Sequence, residues 1–133
     1  MTEDAAARVP GQLSQWPAQI QPEPVNAPWL DGTDLPVAAG CAAFAYGNFH
    51  MNFMRGHATV IGCPKLDGVD CAGKLSRMLS GNNVYSITVA GLEAPCCGGL
   101  ESAVRRAIAQ SNSQIPMNVA AISATGEVLE ERR

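Results

Sequence analysis

Residues 84–111, VYSITVAGLEAPCCGGLESAVRRAIAQS, join a short apolar run to a helical pattern through a turn that carries two cysteines. The first part, VYSITVAG, is rich in β-branched and small apolar residues, as in a strand buried on both faces. Beyond the turn, Leu100, Val104, Ala107 and Ile108 recur at helical spacing while Glu101, Arg105 and Arg106 face away from them. A buried strand feeding directly into a helix is half of a parallel crossover unit, so this stretch predicts an α/β protein.

The same alternation extends on both sides. LPVAAG (35–40), ATVIG (58–62) and MNVAAIS (117–123) are further short strand patterns. Residues 71–80 read as a helix, with Asp70 as its N-cap, Leu75, Met78 and Leu79 as its apolar stripe and Gly81 as its stop. Right-handed crossovers then give a three-layer α/β sandwich with a mostly parallel central sheet, of the Rossmann or flavodoxin-like kind. No internal repeat interrupts this plan.

The chain of 133 residues suits one domain, expected to span 13–133 behind a disordered arm at 1–12 made of small, polar and charged residues. Pro17, Pro22, Pro24, Pro28 and Pro36 exclude a long helix or central strand between 15 and 36. That segment is expected to be an extended edge strand and loop, with Trp16 and Trp29 covering one side of the core. Apolar residues make up 47% of the chain but aromatic ones only 5%, so the core is mainly aliphatic. A formal net charge of −3 gives no broad basic surface, which argues against general binding to nucleic acid or an anionic membrane. Neither a signal-peptide pattern nor an apolar run long enough to span a bilayer is present, so a cytoplasmic location is expected.

In that compartment five cysteines are more readily explained as reduced, metal-bound or catalytic than as disulfide pairs. Four share an address. Cys41 follows the 35–40 strand, Cys63 follows 58–62, and Cys96 and Cys97 follow 84–91 after a short turn. In an open parallel sheet, ligands bind beyond the carboxyl ends of the strands, so three strands would deliver four thiols to one edge. Gly40, Gly62, Gly98 and Gly99 leave room for close backbone approach there, and Pro64 and Pro95 stiffen the turns. Four thiolates suit an iron–sulfur cluster or, alternatively, zinc. The gaps, 42–62 and 64–95, match neither zinc ribbons nor bacterial ferredoxins, and the chain has no C-x-x-C.

The run QWPAQIQ, NAPWL, CAAFAYGNFH, IGCPKLD, SITV, PCCGGL and GEVL resembles the C-terminal part of bacterial and archaeal ferredoxin-type 4Fe–4S iron–sulfur proteins. The likeness covers nearly all of the chain after the arm. It does not extend to the cysteine-rich ferredoxin segment that precedes this part in those relatives. A more distant likeness of pattern is to the cluster-bearing small subunits of nickel–iron hydrogenases and respiratory complex I. They too combine a G-C-P turn, here Gly62-Cys63-Pro64, with a cysteine pair, here Cys96-Cys97, and a lone cysteine, here Cys41. The resemblance implies a 4Fe–4S or other iron–sulfur cofactor on Cys41, Cys63, Cys96 and Cys97. It also implies a separate ferredoxin or larger redox complex as partner, docking where the cysteines emerge with Phe44, Tyr46 and Phe49 at the centre of the patch.

Two readings from other classes stay open. Cys97 at a helix start, with Cys41 or Cys63 nearby, could exchange thiol for disulfide, because a helix N-terminus favours the thiolate. Alternatively, the domain is a metal-free module that only docks on a ferredoxin. Cys71, one residue inside a helix, is read as packing and left out of the site. His50 and His57, with Met51 and Met54, have copper-binding types but fit better as a short helix with an apolar face. Arg105 and Arg106 read as a solvated face, while Lys65 and Asp67, in the turn after Cys63, could orient a ligand or simply cap the helix that begins at Asp70. The sequence has no G-x-S-x-G, P-loop, G-x-G-x-x-G or H-E-x-x-H motif, so no substrate follows from it.

Overall fold

Leu35, Val37 and Ala38 are closed off from solvent although successive residues of a strand face opposite ways. A strand buried on both faces must satisfy its backbone polar groups through neighbours. The computed structural model describes residues 10–15, 20, 28–62, 71–92, 97–111 and 114–132, and it gives this strand a partner on each side. β1 (Asp34–Ala38) pairs in parallel with β2 (Val60–Ile61), placing Val37 opposite Val60 and Ala38 opposite Ile61. On its other side it pairs in parallel with β3 (Ser86–Leu92), from Asp34 opposite Ser86 to Ala38 opposite Ala90. β3 continues in parallel to β4 (Met117–Ile122), and β4 pairs antiparallel with β5 (Val128–Arg132). The sheet order is β2-β1-β3-β4-β5.

Three helices fill the crossovers: α1 (Gly40–Ala45), α2 (Cys71–Gly81) and α3 (Cys97–Gln110). The step from β1 to β2 runs one way along the sheet, and the steps from β2 to β3 and from β3 to β4 run the other way. Right-handed crossovers therefore put α1 on one face and α2 with α3 on the opposite one. α2 and α3 pack together, α3 lies against β3, and α1 meets β3 as well. Leu75 and Met78 of α2 and Leu100 and Val104 of α3 have no solvent exposure. Each such side chain contributes about 1.5–3 kcal/mol by leaving water. The observed fold is thus the three-layer α/β sandwich that the strand and helix patterns predict.

Several local features differ from the expectation. The first strand stops at Ala38, and the Ala-rich segment that follows coils into α1, since alanine has the strongest helix propensity. Residues 128–132 form a strand although VLEER carries little strand signal, because the turn before it folds the chain back onto β4. A register irregularity between Ala121 and Ile122 disturbs the alternation that would have revealed β5. Trp29 sits in a 3₁₀ turn, Pro28–Leu30, and remains 36% exposed, while the adjacent Leu30 enters the core in its place. Trp16 and residues 1–9 of the expected arm lie outside the described residues.

The outer side of β2 is held by the chain that precedes β1. The Ile20 N–H donates to the Ile61 carbonyl at 3.0 Å. The Gln15 side-chain amide donates to the Thr59 carbonyl and accepts from the Thr59 N–H, and Ser14 Oγ donates to the His57 carbonyl. Part of the expected edge segment therefore runs along β2, where it covers backbone groups that would otherwise be open to another chain.

The β4–β5 turn locks against α1. Gly126 has φ +91°, and a Cβ there would stand 2.7 Å from the Ala45 carbonyl oxygen. Gly126→Ala is expected to lose about 1–3 kcal/mol in urea unfolding, through both the positive φ and the clash. Gly56→Ala, also at positive φ (+75°) but with nothing within 4 Å, should lose less. Equal losses would mean that the turn does not press on α1.

Candidate thiol site at the sheet edge

Parallel pairing sends the carboxyl ends of β1, β2, β3 and β4 to one edge of the sheet. The order β2-β1-β3 makes the three cysteine-bearing connections leave from neighbouring strands. With strands spaced about 4.7–4.9 Å apart, β2 and β3 are only about 10 Å from each other across β1. β1 and β3 also form the topological switch point, since the chain leaves them in opposite directions, toward β2 and toward β4. In open α/β sheets that divergence opens the crevice where ligands sit.

Near this edge one row of three strands carries alanines, flanked by Ile61 at the end of β2 and followed by Leu92 and Ile122 at the ends of β3 and β4. Ala38, Ala90 and Ala120 lie side by side in register across β1, β3 and β4 and are almost wholly buried. One residue further on, the Ala39 N–H donates to the Ala90 carbonyl at 2.9 Å and the Gly62 N–H to the Ala38 carbonyl at 2.9 Å. These bonds carry the sheet's pairing up to the point where the connections depart. The backbone is therefore fixed where these connections leave β1 and β2.

Of the expected site residues, Cys41 is exposed in the first turn of α1, two residues beyond Ala39, so it belongs to a helix and not to a loop. Cys97 is the first residue of α3, which the chain reaches from β3 through residues 93–96. Cys63 and Cys96 lie outside the described residues, as do Lys65, Asp67 and Asp70. Cys71 opens α2, the element it was expected to belong to.

The aromatic residues near Cys41 separate into two kinds. Phe49 is 1% exposed and stacks on Phe53 with ring centroids 5.3 Å apart. Tyr46 meets Phe53 edge-on at 5.8 Å and accepts a hydrogen bond from Asn52 Nδ2. Phe49 therefore closes the core and does not form a docking patch, whereas Phe44 is 95% exposed. Residues 50–54 are a single π-helical turn, His50–Met54, in which Phe53 and Met54 are buried, matching the apolar-faced short helix. His50 Nδ1 accepts a hydrogen bond from the Gln12 N–H at 2.9 Å, so that nitrogen is engaged in holding the preceding chain. Arg105 pairs with Glu101 at 3.0 Å on the outer side of α3, as a solvated face would.

The sequence reading missed the turn that borders the edge beyond β4. Ser123, 5% exposed, accepts the Glu127 N–H on its hydroxyl at 3.0 Å and shares a 2.9 Å hydrogen bond with Thr125. The Thr125-Gly126 pair between two apolar runs was the available signal.

The Rossmann-like domain family matches residues 27–133. The chain belongs to that family. An uncharacterised protein of Archaeoglobus fulgidus is 26% identical over 117 residues, covering 88% of this chain and 83% of the relative. No solved structure gives a significant match. No helix among the described residues is long and apolar enough to cross a membrane.

Phe49→Ala should cost about 3–5 kcal/mol in chemical denaturation, as removal of a buried aromatic does, and Phe44→Ala within about 0.5 kcal/mol. Similar losses at both positions would contradict their opposite burial.

Proposed function

We propose that this Rossmann-like domain is a redox accessory protein that binds an iron–sulfur cluster, or else a metal such as zinc, through Cys41, Cys63, Cys96 and Cys97. The observation that carries this reading is the sheet order: the connections bearing all four cysteines leave three adjacent parallel strands at one edge. Thiolates are the ligands that iron–sulfur clusters and structural zinc prefer. The resemblance to ferredoxin-type iron–sulfur proteins favours a cluster, of 4Fe–4S type, over zinc. When bound, a cluster would supply one-electron transfer; the chain's own part is to gather the thiolates and limit access of water. We further propose a cytoplasmic location and a separate ferredoxin or redox complex as electron partner.

A second reading, thiol–disulfide exchange, draws support from Cys41, whose exposure gives an incoming thiol or disulfide access. The two make different demands on the cysteines. A cluster needs the set together, whereas exchange needs one accessible thiol and one resolving partner.

Protein prepared and reconstituted without oxygen should contain iron and acid-labile sulfide. Cys41→Ser, Cys63→Ser, Cys96→Ser and Cys97→Ser should each lower that content at least about twofold, while Cys71→Ser leaves it unchanged. Metal-free wild type after reconstitution, or equal loss in Cys71→Ser, would overturn the cluster reading.

A further inference from the structure

The segment before β1 is fastened to the sheet mostly by side chains, and one of its fasteners titrates. At the inner end Gln15 is buried and its amide engages both backbone groups of Thr59, while the buried Ile20 donates its N–H to the Ile61 carbonyl. Further out the anchors are exposed. Ser14 Oγ donates to the His57 carbonyl at 3.2 Å, and the Gln12 N–H donates to His50 Nδ1 at 2.9 Å. The His50 ring also lies against Gly11, where a Cβ would stand 3.6 Å from its Cε1. His50 is itself exposed on the π-helical turn, so its ring exchanges protons with solvent.

Chemistry fixes the direction of the Gln12 bond. A backbone N–H can only donate, so Nδ1 must present its lone pair, and the ring is neutral with its proton on Nε2. A proton on Nδ1 turns that acceptor into a second donor. Two donors then face each other across the contact, and attraction gives way to repulsion. The conflict is local and needs no partner charge. Residues 10–15, PGQLSQ, carry no charged or titratable side chain, and the π-helical turn has none besides His50. Its flanks add Tyr46, whose hydroxyl accepts from Asn52, Arg55, whose backbone N–H donates to the His50 carbonyl, and His57, which meets Ser14 through its carbonyl.

We infer that the Gln12–His50 contact is a pH-sensitive latch, closed while His50 is neutral and released when it is protonated. On release, residues 10–14 detach and uncover the His57 carbonyl, while Gln15 and Ile20 stay in place. The uncovered edge leads into the amino end of β2, at the opposite end of that strand from the Cys63 connection. Access to this edge thus depends on pH across the range where histidines titrate. The inference rests on the strap and the π-helical turn and not on the cluster, so it is tested on reduced, metal-free full-length protein.

Backbone amide exchange, expressed as protection relative to the intrinsic rate at each pH, reads the latch at about pH 7.5 and about pH 5, on either side of the ordinary histidine value of about 6.5. Protection of the Gln12 amide should fall at least about fivefold in acid, as loss of one hydrogen bond allows, while that of Thr59 and Ile20 holds. His50→Asn, whose Oδ1 replaces Nδ1 as acceptor and does not titrate, should keep Gln12 protected at both pH values, and His50→Ala should leave it unprotected at both. His57→Asn, which removes the chain's other histidine, should behave as wild type. Nitrogen NMR of the His50 ring at about pH 7.5 should place its proton on Nε2. Circular dichroism that superimposes for all four proteins establishes that folding is not the cause. Wild-type Gln12 protection that ignores pH overturns the inference. So does a pH response that survives His50→Asn or vanishes in His57→Asn, a ring proton on Nδ1, or parallel loss at Thr59, which would mean that the edge opens as a whole.

Discussion

The parallel pairing of β1 with a strand on each side is the constraint on which the rest of the molecule depends. Leu35, Val37 and Ala38 have no exposure, so the polar backbone of β1 must be satisfied by β2 and β3. Parallel neighbours require crossovers, and crossovers of one hand require helices on both faces once the chain reverses its direction along the sheet. From β1 at the centre of β2-β1-β3, it follows that α1 is separated from α2 and α3 and that a switch point opens beside β1. The candidate site is a consequence of that order. The connections that carry the cysteines leave the sheet at one edge because of it.

Backbone pairing holds this edge firm where the connections leave the sheet. The row Ala38, Ala90 and Ala120 fills the face with methyl groups, while the backbone bonds from Ala39 and Gly62 extend the pairing one residue past the strands. The Gly126 turn, next to β4, presses on the end of α1, and the segment through Gln15 and Ile20 secures β2 at the other border of the sheet. The two ends of the edge are therefore held by contacts distant in sequence. Such contacts leave almost no periodic trace in the chain.

That difference explains what was legible in the sequence. The four parallel strands and α2 and α3 were readable because continuous apolar runs and 3.6-residue stripes reflect burial directly. β5 was not, because an edge strand rich in Glu and Arg and distorted by a bulge keeps neither signal. α1 was hidden because alanines suit the end of a buried strand and the start of a helix alike, and only the pairing of Ala38 with Ala90 marks where one stops. The common edge of the cysteine-bearing connections was legible from their positions after the strands. Their adjacency was not, since strand order is not written in any one segment. The roles of Phe44 and Phe49, five residues apart in an uncharged stretch, became distinct only through the stacking of Phe49 on Phe53.

The claim that matters most is that thiols from neighbouring strands act together on one bound group. X-ray absorption at the metal edge of anaerobically reconstituted protein tests it most directly, because it reports the ligating atoms themselves. A first shell of sulfur is expected, near 2.3 Å for zinc, that changes in Cys41→Ser through replacement of one sulfur by a lighter atom. A shell of nitrogen and oxygen, or a sulfur shell identical in wild type and Cys41→Ser, would contradict it.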